Sequence, residues 1–151
     1  MDDALRALAQ RLGKQAEANV PGAGAAGGLG FAMLAFFGAT LRSGIDIVSD
    51  AVALRRRLEG ADLCITGEGR LDASSLSGKT VGGVAGLCRS MGVPCVALVG
   101  NFGAGFEQIL DELDLDAEAI TPAGMSLEDA IARAPDLLGE AAAKAVSTML
   151  L

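Results

Sequence analysis

The sequence predicts an α/β fold in which a partial parallel sheet carries helices on both faces. Three apolar segments in the second half, each leading into a Gly-bearing loop and a helix-like pattern, are the main evidence. Continuous apolar strands joined through helices are typical of parallel sheets, which helices cover on both sides. The 151-residue length fits a single unit, 1–151, in which 1–60 are mostly helical and 61–151 alternate between strand and helix.

The mostly helical part surrounds a Gly-rich stretch. Its first segment repeats apolar residues at spacings of three and four, as the buried face of a helix requires. Caps and terminating glycines predict where helices begin and end. The predicted elements are a helix over 3–18, a buried helix over 31–41, a short extended piece over 44–48, and a helix over 49–60 with Ser49 or Asp50 as N-cap and Gly60 after its end.

The alternating part begins with ADLCITGEG, predicted as a buried strand that ends near Thr66 and runs into a Gly-rich loop. Ser126 and Asp129 have the spacing of a capping box at the start of the final helix, which is expected to break or kink near Pro135. The other predicted elements are a helix within 75–92 closed by Gly92, a strand over 93–103, a helix over 104–113 and a short strand over 117–124.

Composition excludes several classes of function. The net charge of −7 argues against nucleic acid as a partner, because that binding needs clustered Lys and Arg. The absence of His excludes a histidine general base and a Ser-His-Asp triad. The acidic N-terminus does not fit a signal peptide, and the most apolar run, FAMLAFFGATL, is too short to span a bilayer. We therefore expect a cytoplasmic protein without a membrane partner.

The three cysteines are predicted to be small core residues in a reducing compartment. Cys64, Cys88 and Cys95 are odd in number and far apart in the sequence, each within an apolar run, and no C-x-x-C motif occurs.

The stretch PGAGAAGGLG contains G-x-G-x-x-G at Gly22, Gly24 and Gly27. A dinucleotide-binding fingerprint should follow a strand, whereas this one follows the polar segment KQAEANVP. The acidic residue expected about 20 positions later is matched only loosely by Asp46. Two other interpretations stay open: small residues that let a helix pack closely, or a turn whose backbone N–H groups bind an anion.

The segment ASSLSGKT is a partial match to a phosphate-binding P-loop. Gly78, Lys79 and Thr80 supply its end, but Ala73 stands where glycine is needed and the preceding strand is too far upstream. We therefore do not predict a P-loop, although Lys79 near a helix start is suited to neutralise a phosphate.

The segment TGEGRLD is the sharpest candidate for chemistry. Gly67 and Gly69 allow the backbone to turn and approach a ligand, while Glu68, Arg70 and Asp72 add two carboxylates and a guanidinium. Phosphoryl transfer uses this mixture: a cation on the phosphate, a carboxylate for Mg²⁺, and a carboxylate to accept the hydroxyl proton. The alternative is a solvated loop with a local Arg–Asp pair.

Three Gly-bearing loops should gather at one edge of the sheet. They are 66–72, 100–105 and 121–124, and each follows a predicted strand. Ligands of open parallel sheets bind beyond the carboxyl ends of the strands.

These motifs together resemble the bacterial type I glycerate kinase family. In family order they are PGAGAAGGLG, LRSGIDIV, GADLCITGEGRLDASSLSGKT, GVPCVALVG and PAGMSLEDA, and the resemblance covers nearly the whole chain from about Ala18. It implies ATP-dependent phosphorylation of D-glycerate, commonly to 2-phosphoglycerate, with Mg²⁺. It also implies a fold of two α/β domains, of which this chain would form part of the flavodoxin-like one.

The resemblance also suggests roles for individual residues. Arg70 and Lys79 would place positive charge on the phosphate or on the glycerate carboxylate. Asp72 would be the metal ligand or the base, and Glu68 its partner. The phosphate- or substrate-binding positions would be Gly22, Gly24, Gly27, Gly28, Gly67, Gly69 and Ser75.

The chain departs from the family pattern at several points. Ser74 stands where the family usually has Gln, and Val81 where it commonly has Pro. The family is also much longer, so the chain resembles its C-terminal portion, and we expect a truncated kinase that needs the missing N-terminal portion or self-association. The alternatives are a non-catalytic remnant that binds small anions or nucleotides, and a small NAD-binding module.

Overall fold

The computed structural model describes residues 3–76 and 80–149, and these form two compact units that divide between Ser43 and Gly44. The predicted phosphate-binding residue Lys79 lies outside the described residues. Among the helices of the described ranges, none combines the length and the apolarity needed to cross a bilayer.

The first unit is helical and contains α1 (Asp3–Arg11), α2 (Gln15–Ala18) and α3 (Ala25–Phe37). The prediction of one continuous helix over 3–18 is therefore wrong. Gly13 adopts a φ of +68°, a left-handed conformation that ends α1 before α2 begins. The small core of this unit is formed by Ala9, Ala18, Ala23 and Phe31.

Helix α3 begins earlier and ends earlier than the predicted helix over 31–41. Gly38, with a φ of +61°, ends it in a left-handed cap. The helix is also less buried than predicted, because Phe36 and Phe37 are 58% and 74% exposed.

The second unit opens with helix α4 (Gly44–Ala51), so the prediction of an extended piece over 44–48 is wrong. Ile45 packs tightly on α6 (Thr80–Met91): a Cβ added to Gly83 would lie 2.6 Å from its Cγ1 atom. A segment as short as GIDIV fits a strand and a helix equally well, and packing against a neighbouring helix determines its structure here.

The predicted N-cap at Ser49 or Asp50 is also wrong, since both residues lie inside α4. The break falls later, at Ala53, whose φ of +51° is left-handed, and α5 (Leu54–Leu58) follows. Gly60, with a φ of +74°, lies beyond the end of α5 as predicted.

The sheet consists of β1 (Cys64–Leu71), β2 (Cys95–Phe102) and β3 (Asp116–Ala119) in the order β1-β2-β3. Both pairs of strands are parallel, which confirms the prediction of a partial parallel sheet. The prediction that the first strand ends near Thr66 is wrong. Strand β2 is long enough to keep pairing with it, so that Arg70 still lies opposite Asn101.

Helices cover both faces of the sheet, as predicted. On one face, α6 and α7 (Phe106–Leu113) share a core with β1 and β2, and on the other α9 (Ala134–Met149) packs on β2. Their buried residues are Leu71, Val81, Ala85, Ala97, Val99, Ile109 and Leu115 on the first face, and Val96, Leu98, Ala141 and Ala145 on the second.

The capping box before α8 (Leu127–Ala132) is confirmed. The Ser126 hydroxyl oxygen accepts a hydrogen bond from the Asp129 N–H at 3.1 Å, which satisfies one of the unpaired donors at the helix start. The predicted break near Pro135 is present as well, since α8 ends before Arg133 and α9 begins at Ala134.

Candidate functional site

The loops that follow β1 and β2 are joined by backbone hydrogen bonds at the carboxyl edge of the sheet. The Gly103 N–H donates to the Leu71 carbonyl at 2.7 Å, and the Ala73 N–H donates to the Ala104 carbonyl at 3.1 Å. Two of the three loops predicted to gather here are thus held directly against each other.

Gly103 leaves space for the charged residues of this edge. A Cβ at this position would lie 2.6 Å from the Arg70 Nε atom and 2.7 Å from the Asp72 Cβ atom. Real Cβ atoms essentially never approach other heavy atoms so closely, so a side chain here would displace both residues. Gly103 lies in one of the predicted Gly-bearing loops, but no role in the site was predicted for it.

Ser75 forms hydrogen bonds with two of the predicted site residues, Glu68 and Asp72. Its side chain is completely buried, and its hydroxyl donates a hydrogen bond to the Glu68 carboxylate. The same hydroxyl oxygen lies 3.4 Å from the Asp72 N–H, and the Ser75 N–H donates to the Asp72 carbonyl at 2.7 Å. These bonds fix the Glu68 carboxylate relative to the Asp72 backbone.

The Asp72 carboxylate is oriented by a local turn. Its Oδ1 atom accepts hydrogen bonds from the Ser74 N–H, at 3.0 Å, and from the Ser74 hydroxyl. Its Oδ2 atom lies 3.7 Å from the Arg70 Nε atom, and the Arg70 side chain is 67% exposed. The Arg–Asp pair anticipated from the sequence is therefore present, and at this exposure it adds little stability.

Glu68, Arg70, Asp72 and Ser75 form a charged cluster at this edge of the sheet. A groove of about 750 Å³ adjoins the cluster, and its volume is within the range typical of small-molecule sites. It lies between the sheet and the helices α8 and α9. Glu68 and Gly69 belong to its lining, as do the polar residues Thr66, Asn101 and Thr121. The remaining lining is mainly apolar: Ile65, Gly67, Leu98, Gly100, Ile120, Met125, Leu127, Ala130, Ile131, Ala134 and Leu138.

The apolar wall of the groove was missed in the sequence analysis, although a signal for it exists. Leu127 and Ile131 lie four residues apart on α8 and are 77% and 67% exposed, whereas Ala130 between them is buried. Two large apolar side chains on the outer side of a short helix indicate a surface that contacts something other than its own core.

The donor set of the cluster fits a magnesium ion bound together with phosphate. Mg²⁺ is usually held by one or two carboxylates, and phosphate oxygens and waters complete its shell. Glu68, within β1, and Asp72, directly after β1, supply two carboxylates. The Oδ1 atom of Asp72 accepts a hydrogen bond from the Ser74 N–H, and the Oε1 atom of Glu68 accepts one from the Ser75 hydroxyl.

The Gly-rich stretch belongs to the first unit and has an unusual backbone. Ala26, Gly27 and Gly28 are successive left-handed residues with φ of 50°, 66° and 97°. The stretch is also tight, because a Cβ on Gly28 would lie 2.6 Å from the Leu5 side chain. It follows helix α2 and not a strand, so the structure gives no support to a dinucleotide fingerprint.

The other glycines of the stretch are Gly22, Gly24 and Gly30. The Gly22 carbonyl accepts the Ala25 N–H at 2.9 Å, and a Cβ on Gly30 would lie 2.5 Å from that carbonyl oxygen. Gly24 is the N-cap of α3 with an ordinary φ of −76°. The close packing considered from the sequence is therefore observed, and a role in anion binding stays a prediction.

Comparisons with known proteins agree on one family. The profile of the glycerate kinase family matches residues 1–150. The chain is 40% identical over 135 residues to a glycerate kinase of Halalkalibacterium halodurans, covering 89% of this chain and 35% of the relative. It is 47% identical over 83 residues to a glycerate 2-kinase of Escherichia coli K12, covering 55% of this chain and 22% of the relative.

The fold agrees with a solved structure. A crystal structure from Salmonella typhimurium LT2, described as a candidate glycerate kinase 2, superposes with a TM-score of 0.62 at 34% identity. The alignment covers 97% of this chain and 38% of that protein, so the chain spans little more than a third of the length of these proteins. The chain belongs to the glycerate kinase family.

Proposed function

We propose that this chain carries the nucleotide- and phosphate-handling edge of an enzyme that phosphorylates D-glycerate with ATP. The observation that carries the proposal is the cluster of Glu68, Arg70, Asp72 and Ser75, which borders the 750 Å³ groove and shares Glu68 with it. Family membership supplies the substrate class.

The groove suits a nucleotide because its lining is mainly apolar and includes Glu68 of the charged cluster. The apolar residues Ile65, Leu127 and Ile131 are large and exposed, and they can cover the faces of an adenine ring. Glu68 and Gly69 also line the groove, and the phosphates would lie at the charged cluster to which Glu68 belongs.

Each charged residue of the cluster would have a separate role in phosphoryl transfer. Arg70 presents an exposed guanidinium, which can neutralise charge on the transferred phosphoryl group, and Lys79 would add a second cation. Asp72, with Glu68 as its partner, would hold Mg²⁺ or accept the proton that the glycerate hydroxyl loses as it takes the phosphoryl group. When bound, Mg²⁺ supplies charge neutralisation between neighbouring phosphate oxygens.

The proposal is tested by the thermal unfolding of the 151-residue chain with ligands. Mg·ATP and D-glycerate are added separately and together, and NAD serves as a control nucleotide. A ligand present at 100 times its Kd should stabilise the native chain by about 2.7 kcal/mol. Calorimetry or a dye is needed, because the chain has no Trp or Tyr.

Single substitutions test whether Asp72 and Arg70 take part in binding Mg·ATP. Asp72→Asn and Arg70→Ala should reduce stabilisation by Mg·ATP while leaving the unliganded melting temperature nearly unchanged. Asp111→Asn makes the same charge change on an exposed position of α7 and should respond as the wild type does. A response that all three variants share with the wild type would refute the site, and stabilisation by NAD alone would refute the choice of nucleotide.

A further inference from the structure

The three cysteines, distant in the sequence, form one cluster in the second unit. Cys64 and Cys95 are direct partners on the parallel strands β1 and β2, and Cys88 reaches them from α6. All three Sγ atoms lie within 4.8 Å of one another. Three sulfurs bound to one ion at about 2.3 Å, the zinc–thiolate length, are at most about 4.0 Å apart, so the sulfurs would have to approach one another by roughly 1 Å to share an ion.

The surroundings of this thiol cluster are apolar. Its core neighbours are Leu58 and Val84, and Ile45, Leu54 and Met91 pack around them. Burial raises the pKa of the Cys88 thiol to about 11 and also raises the pKa of the Cys95 thiol. An ion that left net charge here would meet a large desolvation cost.

Charge therefore selects the kind of ion. A divalent ion with three thiolates carries a net charge of −1, a monovalent ion with three thiolates carries −2, and a trivalent ion with three thiolates is neutral. The metal-ligating side chains that gather here, among the residues the structure describes, are three thiols without a carboxylate that could act as a fourth ligand. Three soft ligands and zero net charge match a trivalent, three-coordinate, thiophilic centre.

We propose that Cys64, Cys88 and Cys95 form a binding site for trivalent arsenic, taken up as neutral arsenous acid. In the reaction As(OH)₃ + 3 RSH → As(SR)₃ + 3 H₂O, three As–O and three S–H bonds break while three As–S and three O–H bonds form. No oxidant or reductant is needed and no net proton is released.

A second cavity gives access to the cluster. It has a volume of about 280 Å³ and is lined by Cys95 together with Val93, Pro94 and Leu113, with Arg89 and Asp114 also in its wall. Cys64 and Cys95 are only partly buried, whereas Cys88 is completely buried.

The test is native mass spectrometry of the full chain with sodium arsenite in a buffer free of thiols. The wild type should gain one arsenic and lose three hydrogens. A complex with two sulfurs keeps one hydroxyl on arsenic and is heavier by one water, so the mass counts the sulfurs. Cys64→Ala and Cys95→Ala should lose the three-sulfur species and the thermal stabilisation by arsenite.

Phenylarsine oxide, which needs only two thiols, is the matched probe. Both variants should still bind it, which shows that their remaining two thiols are accessible, and a cooperative thermal transition of each variant shows that it is folded. The proposal is overturned if the wild type forms only the two-sulfur species, or if arsenite binds the variants as tightly as the wild type. It is also overturned if neither arsenical binds the wild type, or if Zn²⁺ or Cu⁺ binds to the cluster more tightly than arsenite does.

Discussion

Replacing Gly103 by alanine should destabilise the chain and disturb the candidate site at the same time. The new Cβ would lie 2.6 Å from the Arg70 Nε atom and 2.7 Å from the Asp72 Cβ atom. The Arg70 side chain is 67% exposed and can move away at little cost. The Asp72 Cβ cannot, because its position is fixed by backbone hydrogen bonds to Ser75.

The expected cost follows from that difference. An extra methyl group that forces backbone shifts typically costs about 1–3 kcal/mol. For a chain of this length each kcal/mol lowers the melting temperature by about 2–4 °C, so Gly103→Ala should melt about 2–12 °C below the wild type. The measurement is differential scanning calorimetry without ligand.

Gly69→Ala is the matched control on the same edge. A Cβ at Gly69 would meet no heavy atom within 4 Å, and its φ is not left-handed. Where the backbone tolerates alanine, the loss of glycine stabilises by about 0.4–1 kcal/mol through the unfolded chain. If Gly103→Ala melts within 1 °C, or roughly 0.3–0.5 kcal/mol, of Gly69→Ala, the geometric reasoning is wrong.

Three further outcomes are expected. Ser75→Ala should lower the free energy of unfolding in urea by about 1–3 kcal/mol, because it removes a buried hydrogen-bond partner of Glu68. Ser74→Ala, at an exposed position, should lower it by less, and equal effects of the two substitutions would contradict the role of burial. Ser126→Ala should cost about 1 kcal/mol and speed amide exchange in α8, and unchanged exchange would contradict the cap. Since burial raises the pKa of Cys88 to about 11, the folded chain keeps a proton that the unfolded chain loses above about pH 8.5. Stability should therefore fall between about pH 8.5 and 11, and less so in Cys88→Ala; identical profiles would refute this.

The parallel sheet could be predicted because its signals are local. The apolar run of β2, the terminating glycine at Gly92 and the capping box at Ser126 each specify structure within a few residues. The wrong predictions concern segments whose structure depends on contact with a residue distant in the sequence. The segment over 44–48 is helical because Ile45 packs on α6, and β1 runs past Thr66 because β2 continues to pair with it.

The candidate site divides in the same way. Glu68, Arg70 and Asp72 could be found because two carboxylates and a guanidinium flanked by glycines stand out in the sequence. The role of Gly103 depends on contact with another loop, and the thiol cluster brings together residues from three elements. Neither has a signature in the chain itself, because both result from how the second unit folds.

The most direct test of the proposed site is a heteronuclear NMR titration of the labelled chain with Mg·ATP. The amides of Glu68, Asp72 and Ser75 should shift, together with those of groove residues such as Thr121, because phosphates and base would lie against them. The amide of exposed Lys144 on α9 should stay unchanged. Shifts confined to residues away from the carboxyl edge, or no shifts at saturating nucleotide, would contradict the assignment of this edge to nucleotide and phosphate.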